Sequence, residues 1–122
     1  MSKDKAPYAY EGLDRVFHER ARLGIVTSLA GHPQGLGFSE LKTLCGLTDG
    51  NLARHLQVLD EAGFVEQQKD HDGRRAVTRC QLTDKGRERF GAYLVALQDV
   101  VRQASQANDR APAPSPLRTR PA

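Results

Sequence analysis

The segment from Leu47 to Leu82 places the strongest constraint on what this chain can fold into. Its first part has the pattern of an amphipathic helix, with Thr48 as a favourable N-cap and Gly63 just after the predicted end. Three leucines recur at a spacing that, at about 100° per residue, puts them within one narrow arc: Leu52, Leu56 and Leu59. This arc is expected to face the core. The opposite face is then expected to be open to solvent and carries Gly50, Arg54, Gln57 and Glu61.

A β-hairpin is predicted directly after this helix. Residues 64–69 and 74–82 have strand patterns, and residues 70–73 end in Asp-Gly, a strong turn signal because glycine tolerates a positive φ. The returning strand begins with Arg74 and Arg75, which makes the hairpin basic. This combination predicts binding to duplex DNA, because an α-helix fits the major groove, about 12 Å wide, and a hairpin can lie against the backbone or the minor groove.

Two further helices are predicted before this segment. The first covers residues 14–30, with Asp14 as its N-cap, and the second covers residues 39–45, with Ser39 as its N-cap. In the second helix, Leu41 and Leu44 are expected to face inward. Residues 36–38, between the two helices, are predicted to form a short extended piece.

A long last helix is predicted over residues 84–104, with Thr83 as its N-cap. Its apolar residues recur at helical spacing: Phe90, Tyr93, Leu94, Leu97, Val100, Val101 and Ala104. The order of elements predicts a mainly α fold with a small β-hairpin, a winged helix-turn-helix with an extra C-terminal dimerisation helix. The domain is expected to cover residues 13–104, with residues 1–12 and the Pro-rich tail 105–122 disordered.

Length and composition permit this interpretation without requiring it. The chain has 122 residues, 27% of them charged and 39% hydrophobic, which is typical of a single globular domain. Its net charge of +3 and pI near 9.1 are compatible with nucleic-acid binding, although many basic proteins bind none. No apolar run reaches the roughly 18 residues of a membrane span, and the N-terminus lacks the apolar core of a secretory signal. A cytoplasmic location and no membrane partner are therefore expected.

The residues that could carry catalysis or bind a metal are scattered. Four histidines lie on different predicted elements: His18, His32, His55 and His71. They form no Ser/His/Asp or Cys/His pattern, and no glycine-rich phosphate loop follows a strand. Cys45 and Cys80 lie far apart without metal-ligand spacing, which favours reduced thiols. The sequence therefore predicts no enzyme, no cofactor and no metal site.

Five segments, in order, resemble the MarR- and ArsR-type winged-helix transcriptional regulators of bacteria and archaea, above all their small single-domain relatives. They are Arg22 to Leu29 in the first helix, Leu47 to Leu56 in the recognition helix, Leu59 to Val65 at its exit, Asp72 to Arg75 in the wing, and Leu82 to Arg87. The combination is specific for the fold and for DNA binding, and it covers residues 13 to about 100. The resemblance implies no particular operator.

Metal-sensing members of these groups have ligands that this sequence lacks. They carry paired cysteines on the helices before or within the DNA-reading part, or acidic and histidine ligands on the last helix. Here Cys45 stands alone and no histidine follows His71. A metal sensor of these types is therefore not expected, and a small-molecule effector is left unassigned.

The predicted DNA contacts lie on the open face of the third helix and on the wing. They are Thr48, Asp49, Gly50, Asn51, Ala53, Arg54, His55, Gln57, Lys69, Arg74 and Arg75. Arg54 is the leading candidate, because arginine can bind guanine O6 and N7 together; the alternative is a surface arginine paired with Glu61. Asn51 and Gln57 have amides suited to adenine, and equally to an ordinary polar surface.

The wing arginines and His55 also have alternative interpretations. At least one of Arg74 and Arg75 must point away from the core, where it suits a narrow minor groove or phosphates. The alternative is a salt bridge to Asp70 or Asp72, and one arginine is expected in each role. His55 lies at the edge of the leucine arc, so a packed histidine is favoured, although the matching position in the resembling families often touches a phosphate.

A homodimer is predicted from the apolar surface that one chain leaves uncovered. The expected interface residues are Val16, Phe17, Phe90, Tyr93, Leu94, Leu97, Val100 and Val101. A twofold partner can offer the same stripe back. The sequence thus predicts a homodimeric repressor that acts by promoter occlusion. The alternatives are a winged helix used only for protein–protein assembly, and a redox-responsive regulator that uses the thiol of Cys45 or Cys80.

Overall fold

The computed structural model describes residues 6–110, which form four helices and a three-stranded antiparallel sheet. The elements are α1 (Arg20–Ala30), β1 (Leu36–Gly37), α2 (Phe38–Cys45), α3 (Asp49–Glu61), β2 (Val65–Asp72), β3 (Arg75–Leu82) and α4 (Asp84–Arg110). The predicted winged helix-turn-helix with an added C-terminal helix is confirmed. Residues 1–5 and 111–122, which belong to the two segments expected to be disordered, lie outside the described range.

The wing is the hairpin formed by β2 and β3. These strands pair over their full length, whereas β1 pairs with only two residues of β3, Arg79 and Cys80, so the outer part of the wing is a two-stranded ribbon. Asp72 pairs with Arg75, which leaves Gly73-Arg74 as a two-residue loop, and Gly73 has a φ of +68°. The turn was predicted at residues 70–73, but the strands stay paired as far as Asp72 and Arg75. The loop is therefore only two residues long, the shortest common length for a hairpin.

One hydrophobic core holds the helices against the sheet. Leu52, Leu56 and Leu59 have no exposed surface, as their spacing predicted. The rings of Phe17 and Phe64 stack with centroids 4.7 Å apart. The other buried members are Ile25, Val26, Leu29, Leu36, Leu41, Val65, Cys80, Phe90 and Tyr93. Burying one large apolar side chain contributes about 1.5–3 kcal/mol, so the core fixes which face of α3 is exposed.

The start of α1 differs from the prediction. Asp14, the predicted N-cap, accepts a hydrogen bond from the Val16 backbone N–H at 2.8 Å in a local turn, which competes with helix formation. Glu19 is the N-cap instead, and its Oε1 accepts from the Arg22 backbone N–H at 2.8 Å.

α2 also begins differently from the prediction. Gly37, not Ser39, is the N-cap, and its N–H donates to Glu40 Oε1 at 2.9 Å. Leu41 is fully buried as predicted, but Leu44 is 59% exposed. The predicted inward position of Leu44 is therefore wrong. This short helix packs on the core through a narrow face, and Leu41 is its only fully buried residue.

Thr83 caps α4, as predicted, and ties it to the end of α3. Its Oγ1 accepts from the Gly86 N–H at 2.9 Å and donates to the Gly63 carbonyl at 2.6 Å. α4 continues to Arg110, past the predicted end at Ala104, so the first part of the tail is helical rather than disordered. No glycine or proline interrupts this extension. α4 is too polar to cross a membrane, and no other helix within residues 6–110 is long and apolar enough.

Residues 6–12 form turns that pack on α4, which departs from the disorder expected for residues 1–12. The Tyr10 hydroxyl donates to Gln103 Oε1 at 2.6 Å. Gly12 lies so close to α4 that a Cβ at this position would be 2.9 Å from Ala96 Cβ. The N-terminal segment is therefore part of the folded domain from residue 6 onward.

Candidate nucleic-acid interface

α3 presents a polar face whose orientation is set by the leucines on its other side. Thr48 caps the helix as predicted, since its Oγ1 accepts from the Asn51 backbone N–H at 3.2 Å. All but one of the predicted contact residues on this helix are exposed: Thr48, Asp49, Gly50, Asn51, Ala53, Arg54 and Gln57. The exception is His55. The structure therefore brings together most of the predicted helical contacts on one surface.

Arg54 is held by its own helix and still has free donors. Its Nη2 donates to Asn51 Oδ1 at 3.0 Å. The alternative pairing of Arg54 with Glu61 is wrong, since no ion pair within residues 6–110 joins them. Glu61 Oε2 instead accepts from Gln57 Nε2 at 3.2 Å. A guanidinium has five N–H donors, so the bond to Asn51 leaves enough for a two-bond contact with guanine.

Asp49, in the first turn of α3, forms an ion pair that the sequence reasoning missed. Its Oδ1 lies 2.9 Å from Lys42 Nζ on α2, and the Asp49 side chain is 74% exposed. The pair spans the turn in which Gly46 has a φ of +64°. An exposed pair adds little stability, but Lys42 offsets a carboxylate that would otherwise repel phosphates. The carboxylate itself can accept from the amino group of cytosine.

His55 is packed against α1, and the favoured interpretation of this residue is confirmed. Its side chain is 13% exposed, and Nδ1 lies 3.8 Å from Glu19 Oε1. The same nitrogen lies 3.2 Å from Arg22 Nη1. Because a guanidinium can only donate, Nδ1 is the acceptor in this hydrogen bond. A contact between His55 and a DNA phosphate stays a prediction.

The wing presents its basic residues to solvent. Every residue of β2 after Val65 is exposed, and so are Arg74 and Arg75 at the tip. Lys69 is therefore also accessible, as predicted. A two-stranded ribbon with both faces in water has little core of its own, so its exposed side chains are available for a ligand rather than for packing.

Asp70 pairs with a different arginine from the one expected. Arg79 Nε donates to Asp70 Oδ2 at 3.2 Å. The His71 backbone N–H and, next, the Arg79 guanidinium hold the pKa of the Asp70 carboxyl below its ordinary value. Within residues 6–110, no ion pair involves Arg74 or Arg75. The expected salt bridge from Arg74 or Arg75 is therefore wrong. Arg79, further along β3, pairs with the Asp70 carboxylate instead.

The cysteines differ in accessibility. Cys80 is completely buried, and burial raises the pKa of its thiol to about 11. Cys45 is half-buried, with Sγ 3.8 Å from Ser28 Oγ. Both thiols are free. In the described part of the chain, no group of three or more His, Cys, Asp or Glu side chains could hold a metal ion.

Three of the expected dimer-interface residues belong to the core of a single chain. Phe17 and Tyr93 have no exposed surface and Phe90 is 6% exposed, so they have no surface to offer a partner. Val16 and Leu97 are partly buried against the same core, and Val100 is intermediate. The large apolar side chains exposed on α4 are Leu94, Val95 and Val101, at 39%, 60% and 58%. Val95 lies outside the predicted stripe and was missed.

Comparison with known proteins assigns the family. The family model for a winged helix DNA-binding domain matches residues 21–101, from the start of α1 to the second half of α4. The chain belongs to the winged-helix DNA-binding domain family. An uncharacterised protein of Methanocaldococcus jannaschii is 39% identical over 80 residues, which are 66% of this chain and 86% of the relative.

Two solved structures show how widely the architecture is shared. A transcriptional regulator homologue from Pyrococcus horikoshii OT3 is 28% identical, with a TM-score of 0.70 over 85% of this chain and 98% of that one. Sco3205, a MarR family transcriptional regulator from Streptomyces coelicolor solved in complex with DNA, is 26% identical, with a TM-score of 0.60 over 92% of this chain and 75% of that one. The fold of this winged-helix protein is thus that of MarR-like transcriptional regulators.

Proposed function

We propose that this winged-helix protein is a homodimeric, sequence-specific transcriptional repressor. α3 lies in the major groove, and the wing contacts the backbone or the adjacent minor groove. The observation that carries the proposal is the exposed face of α3 with Arg54 at its centre, together with a projecting ribbon that has Arg74 and Arg75 at its tip. The relative from Streptomyces coelicolor, described as a regulator in complex with DNA, supports the same use of the fold.

Each part of the proposed interface supplies a different component of binding. Arg54, Asn51 and Gln57 carry groups that can distinguish bases in the major groove. Arg74, Arg75 and Lys69 supply charge for phosphates or a narrow minor groove, which positions the protein without reading sequence directly. Asp49 and Gly50 lie at the N-terminus of α3, where backbone N–H groups without partners inside the helix can bind a phosphate.

A dimer is proposed because two α3 helices are needed to read adjacent half-sites. Leu94 and Val101 are seven residues apart on α4 and lie on the same edge of the helix, where both are exposed. Exposed apolar surface costs about 25 cal/mol per Å² relative to burial, and a second copy can cover this edge by presenting its own. Leu97 is half-buried beside this edge and adds to the proposed contact, whereas Val100 lies about 100° from Val101 around the helix.

Repression by occlusion is the simplest outcome for such a molecule. In this arrangement DNA contacts α3 and the wing, and the partner copy contacts α4. Blocking polymerase at a promoter requires no further contact, whereas activation requires a surface that binds polymerase.

Selection from a random pool of duplex DNA tests this function. The full chain should enrich an inverted repeat with half-sites about one helical turn, roughly 34 Å, apart. Binding to the enriched site should exceed binding to unrelated DNA by about 10³-fold or more at physiological salt. Equal binding to all sequences contradicts sequence-specific regulation. Absence of DNA binding at low salt instead favours the alternative of a protein–protein assembly module.

A further inference from the structure

We propose that Arg22 is a positioning residue for DNA recognition and acts through His55 of α3. This inference rests on the proposed DNA-reading role of α3. Arg22 itself lies on α1, is half-buried, and reaches α3 only through His55. Its contribution is to fix the position of that helix relative to α1 and to the segment before it.

Arg22 connects three parts of the chain. Its backbone N–H binds Glu19, the N-cap of α1, at 2.8 Å. Its guanidinium donates from Nε to the Val16 carbonyl at 2.7 Å and from Nη2 to the Arg15 carbonyl at 3.5 Å. The third nitrogen, Nη1, donates to His55 Nδ1 at 3.2 Å. The bonds to the segment before α1 hold the guanidinium in place. The donor of the hydrogen bond to His55 therefore has a fixed position.

The hydrogen bond from Arg22 to His55 is directional, and its acceptor is largely shielded from water. His55 is a residue of α3 with a side chain only 13% exposed. A hydrogen bond from a charged donor in such a place is stronger than one at the surface, and an unpaired donor there is costly. Packing of the three leucines fixes which face of α3 is exposed, but apolar contacts are not directional. The bond from Arg22 adds a directional constraint by specifying one position for His55.

The position of His55 bears directly on the proposed base contacts. Arg54 is its neighbour in the sequence, and Asn51 lies one turn before it on the same helix. Displacing a base-contacting group by about 1 Å is enough to break a two-bond contact, since such bonds require heavy-atom distances within a few tenths of an ångström. Loss of the Arg22–His55 bond should therefore lower discrimination between sequences more than it lowers the phosphate contacts of the wing.

Two substitutions of similar size isolate this bond. His55→Asn keeps an acceptor near the position of Nδ1, whereas His55→Leu removes it, and both leave the bonds from Arg22 to Val16 and Arg15 available. Arg22→Met removes all the guanidinium bonds, and Arg20→Met, at an exposed position of the same helix, controls for the loss of one charge. For each full-length variant, affinity is measured for the selected site and for unrelated DNA over a series of salt concentrations, with circular dichroism to confirm folding at the assay temperature.

We expect His55→Leu and Arg22→Met to lower the ratio of specific to non-specific affinity by about tenfold or more, the loss expected for one base contact. His55→Asn and Arg20→Met should keep the wild-type ratio, and the salt dependence should be the same in all five proteins. A variant that is merely destabilised binds both DNAs less in equal proportion, so its ratio does not change. An unchanged ratio in folded His55→Leu overturns the inference and leaves the proposed function standing. A wild-type protein that does not discriminate between sequences overturns the proposed function itself.

Discussion

The Arg54 guanidinium donates to Asn51 Oδ1 across one turn of α3, over 3.0 Å. Both side chains lie on the exposed face of the helix, so the bond joins two groups that are each suited to a base edge. Asn51 uses its acceptor in this bond and keeps its amide donors. Arg54 is thereby held in a restricted orientation before any DNA is bound, which lowers the entropy cost of a contact with guanine.

Arg54→Ala should therefore weaken binding to the selected site by about 1–3 kcal/mol and relax the preference at one base position in each half-site. Affinity for unrelated DNA should fall much less. Repeating the selection with the variant measures the preference, and titration measures the affinity. Arg102→Ala, which removes a charge from α4 near the Tyr10–Gln103 contact, is the control. Retention of the wild-type base preference by Arg54→Ala would show that another residue reads the sequence.

The wing arginines should act without regard to sequence. Replacing Arg74 and Arg75 together by alanine should weaken binding to all DNA and flatten the plot of log affinity against log salt, by about 0.9 in slope for each phosphate that the wing no longer neutralises. Arg79→Ala is the matched control, because Arg79 is already engaged by Asp70. Thermal unfolding of the double variant should match the wild type. A slope unchanged by the double substitution would mean that the tip of the wing does not reach DNA.

Two glycines of α4 should respond oppositely to alanine. A Cβ at Gly86 would collide with the Phe64 backbone, whereas a Cβ at Gly91 meets nothing within 4 Å. Gly86→Ala should lower the free energy of unfolding by about 1–3 kcal/mol or more through overpacking. Gly91→Ala should raise it by about 0.5–1 kcal/mol, because glycine is disfavoured within a helix. Urea denaturation measures both, and a loss of stability in Gly91→Ala would contradict the open surroundings of that position.

Glu19 should make stability depend on acidity. The backbone hydrogen bond from Arg22 is the main cause that holds the pKa of the Glu19 carboxyl below its ordinary value of 4.5. The ionised carboxylate therefore contributes stability above that value, and the contribution is lost as the pH falls through the lower pKa of the folded state. The difference in unfolding free energy between wild type and Glu19→Gln should favour the wild type at pH 7 and decline below pH 4.5. Glu88→Gln, at an exposed position of α4, controls for the lost charge. A difference that stays constant with pH would exclude this role for the carboxylate.

The sequence predicts which residues of a helix share a face, but it does not say what covers that face. The arc of Leu52, Leu56 and Leu59 was predicted correctly because α3 is amphipathic and only one side is apolar. For α4, the stripe was also correct as a pattern, yet Phe90 and Tyr93 are covered by Phe17 of the same chain rather than by a partner. An apolar stripe can be covered either by another part of the same chain or by a second copy. Which of the two covers it depends on tertiary packing, and the periodicity of the sequence gives no information about that packing.

Side-chain partners were predicted less well than elements, for a related reason. Arg79 rather than Arg74 or Arg75 pairs with Asp70, because β2 and β3 place Gln68 opposite Arg79 and so bring Asp70 within its reach on the same face of the wing. That register depends on the two-residue loop, which the sequence placed too early. Similarly, Lys42 and Arg22 were missed because their partners lie on other elements. Contacts between elements follow from the assembled fold, not from spacing along one helix.

Dimerisation is the prediction on which the proposed reading of two half-sites depends. Leu94→Asp with Val101→Asp places two carboxylates on the exposed edge of α4 and should convert a dimer at micromolar concentration into a monomer, because each buried unpaired charge costs several kcal/mol. Both side chains are already exposed in one chain, so the fold should be retained, unlike a substitution at Leu97, which packs on the core. Val95→Asp adds a charge at a 60% exposed position of the same helix, about 100° from Leu94, and should leave the dimer intact. Sedimentation velocity gives the mass of each variant. Dissociation of the dimer by Val95→Asp alone would place the interface on the side of α4 that contacts residues 6–12. A monomeric wild type would overturn the proposed dimer, and each half-site would then be bound independently.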